Sequence, residues 1–96
     1  MPYVLFHKQD RTIYSCMLIN IYKLPYYGAK YWDSRNEADS EMMNFLVSQG
    51  ETNPEGWELL EVEEHRLKVF NVKLSNQASR GVRLEEDGRV VGYSKE

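Results

Sequence analysis

An α+β fold, an antiparallel β-sheet with one helix packed on a face, is predicted by three features of this 96-residue sequence. A serine-led capping box at Ser34 opens a helix-period stretch, strand-forming runs with turn signals flank that stretch, and Asp87-Gly88 marks a hairpin near the end. The expected order is β-β-β-α-β-β-β-β.

The first run, Tyr3-Val4-Leu5-Phe6-His7, is rich in strand formers, and Gln9-Asp10-Arg11 breaks it before a second run from Thr12 to Tyr22. The two read as a β-hairpin. Both alternating sets of the second run are largely apolar, with Ile13, Met17, Ile19 and Ile21 on one side and Tyr14, Cys16, Leu18 and Tyr22 on the other. Such a strand is expected to be central and covered on both faces. Leu24-Pro25 ends it, because proline cannot donate to a central ladder. A third strand is expected from Tyr27 to Trp32, bent at Gly28.

Ser34-Arg35-Asn36-Glu37 has the capping-box pattern, and Ala38, Met42, Phe45 and Leu46 follow on one stripe of a 3.6-residue period. Gly50 supplies the stop. Glu37 and Asp39 complement the positive end of the helix dipole. Asn53-Pro54-Glu55-Gly56 reverses the chain, and Trp57 opens a strand to Val62. From Leu67 to Leu74 the parity is broken, since Leu67 and Val69 disagree with Phe70, Val72 and Leu74. A bulged strand after a Glu63–Arg66 turn is the primary expectation, and a helix across Glu61 to Phe70 is the competing one. A two-residue Asp87-Gly88 turn sets Leu84 opposite Val91 and Val82 opposite Tyr93.

The length fits one domain, residues 1–96, and leaves a modest stability margin that dimerisation would supplement. No apolar run approaches the ~20 residues of a membrane-spanning helix, and the first residues lack a secretory pattern. A cytoplasmic location is therefore expected, in keeping with the lone Cys16. A net charge of −3 argues against a general nucleic-acid binder.

The segment Glu55-Gly56-Trp57-Glu58-Leu59-Leu60, placed after a helix, resembles small bacterial domains of unknown function in which an E-G-W-E-L stretch begins a strand. The resemblance covers six residues. It implies a helix-to-strand transition, and it carries no activity, cofactor or catalytic residue.

Catalytic, cofactor and metal motifs are not found. Cys16 lies mid-strand, away from His7 and His65 in sequence, and reads as a small buried apolar group rather than a nucleophile. Glu58, Glu61, Glu63 and Glu64 read as a solvated face. No phosphate-cradling glycine loop occurs, and no cofactor is expected.

The densest feature lies between Tyr22 and Trp32, where Tyr22, Tyr26, Tyr27, Tyr31 and Trp32 supply five of the twelve aromatic residues. Lys23, Lys30 and Arg35 make the stretch locally basic. Tyr22, Tyr26, Tyr27, Lys30, Tyr31 and Trp32 form the candidate interaction surface, with Tyr27 and Trp32 as its anchors. The leading expectation is a non-enzymatic, homodimeric protein-protein binding or assembly module. A single-stranded nucleic-acid-binding or regulatory accessory protein using the same aromatics is the alternative, and a small enzyme the third. A packed aromatic core with snorkelling lysines is the structural reading of the same residues.

Overall fold

Alternation along the first strand organises the molecule. In the computed structural model, which describes residues 1–95, β1 (Tyr3–His7) pairs antiparallel with β4 (Tyr31–Trp32) on one side and β5 (Trp57–Glu61) on the other. Successive side chains of a strand point to opposite faces. Leu5 of β1 therefore joins Trp32 and Leu59 in a cluster under α1 (Arg35–Ser48), while Val4 and Phe6 join Leu60 and Val62 in a cluster under α2 (Glu64–Leu74). The sheet is thus covered on both faces.

The remaining strands form two antiparallel ribbons, β2 (Ser15–Ile19) with β3 (Pro25–Ala29) and β6 (Arg80–Leu84) with β7 (Val90–Ser94). Residues 12–14 tie these ribbons to the sheet. Ile13 bridges Phe6 of β1 and its N–H donates to the Val82 carbonyl of β6, while Tyr14 donates to the Leu5 carbonyl. The α+β class holds, but the single sheet and single helix expected from the sequence become three sheets and two α-helices among the described residues.

α1 forms as its pattern dictates. The Ser34 hydroxyl accepts the Glu37 N–H at 3.2 Å, Gly50 takes a left-handed φ of 81°, and Ala38 and Leu46 are fully buried with Met42 and Phe45 packed beside them. Ser34→Ala is expected to cost about 0.5–2 kcal/mol in a urea melt, because one orphan N–H loses its acceptor.

Four expectations are corrected. The single strand expected from Tyr27 to Trp32 is broken at Lys30 into β3, which pairs with β2, and β4, which pairs with β1, because only Tyr31 and Trp32 lie beside Tyr3 and Val4. The stretch after Val62 is a helix, since Leu67, Phe70 and Leu74 recur at offsets of three and seven and meet one cluster; the broken strand parity was the mark of a 3.6-residue period. The C-terminal hairpin pairs Leu84 with Val90 and Val82 with Gly92, one residue away from the expected register. Glu85 donates to the Arg89 carbonyl across a three-residue loop in which Gly88 takes φ 90°, so the glycine serves a turn with a left-handed exit rather than a two-residue turn. Finally, the second run pairs with β1 only at Ile13 and then leaves it; β2 ends at Ile19, pairs with β3 alone among the described strands, and exposes Met17 and Ile19 instead of being central and covered.

Candidate interaction site

The β2–β3 ribbon is anchored along one edge. Asn71 of α2 shares a helix face with Phe70 and Leu74 of the core, and its Oδ1 accepts the Ala29 N–H at 2.9 Å. Asn76 follows the helix end at a φ of 53°, a left-handed conformation that asparagine tolerates better than most residues, and its Oδ1 accepts the Tyr27 N–H at 2.7 Å. Two amide side chains thereby satisfy the outer donors of β3.

The ribbon turns at Asn20–Leu24. Asn20 Oδ1 accepts the N–H groups of Tyr22 and Leu24 at 2.9 and 3.0 Å, and Lys23 takes a left-handed φ of 64°. This local network holds Ile21 and Tyr22 at the tip, where they are 86% and 76% exposed. Met17, Ile19 and Leu24 continue the uncovered apolar surface down the ribbon.

Between ribbon and α1 lies a groove of about 420 Å³ lined by Leu18, Tyr26, Tyr31 and Trp32. Lys30 enters it with Nζ 4.8 Å from the Trp32 ring centre and 5.0 Å from that of Phe45. Asp33, Glu37 and Glu41 line the opposite wall, so the three-dimensional site is acidic although its sequence segment is basic. Arg35, the other nearby cation, pairs instead with Asp39 at 3.2 Å.

The six candidate residues divide accordingly. Tyr26, Lys30, Tyr31 and Trp32 come together in the groove, and Tyr22 stands apart at the tip. Tyr27 lies on the other face of β3, where its hydroxyl accepts from Lys95 Nζ at 2.6 Å and donates to the Ser15 carbonyl at 3.3 Å. Tyr27 and Trp32 are 6% and 4% exposed, which corrects their assignment as surface anchors. Trp32 is held by Leu5, Ala38 and Leu46, and its Nε1–H donates to Glu41 Oε1 at 3.0 Å. The exposed surface belongs to Met17, Ile19, Ile21 and Leu24, which the sequence reading had placed in a covered strand or at its end. Asn20 ahead of a lysine was the available signal, because asparagine initiates turns through its own side chain.

Burial pushes the Cys16 thiol up, an effect that nearby Lys30 only partly offsets. A thiol held in its neutral form is a poor nucleophile. Cys16 is therefore expected to alkylate more slowly than a small free thiol at mildly alkaline pH, which mass spectrometry of iodoacetamide-treated protein would measure. His7 stacks edge-on with Trp57 at 4.9 Å and accepts the Asp10 N–H through Nδ1 at 3.0 Å. His65 is exposed on α2. Among the described residues no group of three or more His, Cys, Asp or Glu is arranged to hold a metal ion, and no helix is long and apolar enough to cross a membrane.

No family model, curated protein or solved structure matches this chain.

Proposed function

We propose that this protein is a non-enzymatic binding and assembly module that self-associates as a homodimer through the β2–β3 ribbon. The supporting observation is the run of uncovered apolar side chains, Met17, Ile19, Ile21, Tyr22 and Leu24, on a single two-stranded element. Contiguous apolar surface of this kind marks interaction sites on proteins of this size. The nucleic-acid alternative has weaker support, since Asp33, Glu37 and Glu41 would repel a phosphate backbone drawn to Lys30 and the groove aromatics.

Burying an isoleucine side chain contributes about 1.5–3 kcal/mol, and 1.4 kcal/mol is a tenfold change in affinity. The Ile19→Ser, Ile21→Ser double variant should therefore raise the dissociation constant at least tenfold while leaving the circular dichroism spectrum unchanged. Light scattering would read parent particles at twice 11.3 kDa. A parent that stays monomeric at millimolar concentration overturns the reading.

A further inference from the structure

The two edges of the β2–β3 ribbon are treated differently, and the register shows how. The Tyr27 and Ala29 N–H groups point away from β2 toward Asn76 and Asn71, so their partners Met17 and Ser15 occupy the non-hydrogen-bonded pairs of the ladder. The ends of the ladder agree with this phase. Lys30 donates to the Tyr14 carbonyl and Asn20 to the Leu24 carbonyl, each at 3.0 Å, which leaves the even-numbered residues of β2 facing β3. The N–H and C=O groups of Met17 and Ile19 consequently point outward, along an edge that no other strand covers among the described residues.

Open edges are ordinarily blunted by lysine, glutamate, proline or a bulge. Ser15–Ile19 contains none of these, and the eleven residues Thr12–Tyr22 carry no charge in a chain that is 28% charged. An uncharged strand can lie beside its own copy without like-charge repulsion at the symmetry axis, and an isologous contact requires that self-complementarity. Nothing in the strand supplies a charge for selecting an acidic or basic partner.

We infer that β2 pairs antiparallel with β2 of a second copy, centred on Met17, to form a continuous four-stranded ribbon across the two-fold axis. This rests on the assembly reading above and specifies its geometry. Met17 opposes Met17 of the partner subunit, Ser15 opposes Ile19 of the partner subunit, and the outward donors and acceptors of Met17 and Ile19 are satisfied. Cys16 then opposes Leu18 of the partner subunit in a non-hydrogen-bonded pair, where Cα atoms lie about 4.5 Å apart, within the range a disulfide spans.

Leu18→Cys supplies the test, because native Cys16 is the only other thiol. Mild oxidation should convert most of this variant into a covalent dimer whose peptides link residue 16 to residue 18 between subunits, whereas Ile19→Cys should cross-link at least tenfold more slowly. Amide exchange of the parent should show Met17 and Ile19 protected at least tenfold more in the dimer than in dilute monomer. A parent that dimerises while those amides stay unprotected and Leu18→Cys stays uncrosslinked overturns edge pairing and leaves the assembly reading standing. A monomeric parent overturns both. An extended peptide of another protein protecting the same two amides, with no dimer formed, would assign the edge to a foreign strand and overturn self-pairing.

Discussion

Trp32→Ala is expected to unfold the protein or bring it close to unfolding, rather than to dissociate an intact fold. The indole is 4% exposed, lies edge-to-face with Phe45 at 5.9 Å, and packs with Leu5, Ala38 and Leu46 between β4 and α1. Truncating a buried aromatic to alanine typically costs about 3–5 kcal/mol, through lost burial and the cavity that remains. Domains of this size have about 5–14 kcal/mol in total, so the loss is a large share. Glu41 would also lose the Nε1–H donor that holds it over the groove. Denaturant melts followed by circular dichroism would read the effect, with Lys68→Ala, exposed on α2 and away from the ribbon, as the control expected to change stability by less than about 0.5 kcal/mol. A Trp32→Ala protein as stable as the parent would show that the indole is not core and would return it to the interaction surface.

Phe70→Ala should be equally severe on the opposite face. Phe70 is the largest fully buried side chain, and it joins α2 to Val4 and Phe6 of β1, Ala29 of β3 and Val82 of β6 in one cluster. Its removal leaves a void that four elements would have to collapse to fill, and a cost of about 3–5 kcal/mol follows. Phe45→Ala should cost less, because that ring is only partly buried at the rim of the other cluster. Phe70→Leu should recover much of the loss, since it restores apolar volume at the same position. Equal midpoints for Phe70→Ala and Phe45→Ala in urea would show that α2 does not anchor the second face.

The effect on the ribbon should follow from the same contact. α2 carries Asn71 and leads into Asn76, whose side chains hold the Ala29 and Tyr27 amides, so loosening the helix releases the anchored edge of β3. In the proposed dimer, that pair of hydrogen bonds would couple assembly to the stability of the body. The link also explains why the open edge is β2: one strand of the ribbon is fastened to the body and the other faces outward.

Local chemistry determined the α+β class, the first strand, the capped helix from Ser34, the turn at Pro54 and the strand from Trp57, because each has its cause within a few neighbouring residues. A serine oxygen reaching an N–H three residues on, or a proline fixing its own φ, is indifferent to the rest of the chain. Tertiary structure decided the remainder. Helix or strand for Leu67–Leu74 turned on which face met Val4 and Val82, and the hairpin register turned on a three-residue loop where Asp87-Gly88 permitted a two-residue one. The aromatic segment was divided by the same kind of choice. Tyr27 and Trp32 were drawn inward because β1 presents an apolar face to each side, while Ile19, Ile21 and Tyr22 stayed outside because no further strand among the described residues pairs with β2 or its turn. Hydrophobicity alone cannot separate those outcomes, since burial is a property of the surface available to pack against and that surface comes from residues distant in sequence.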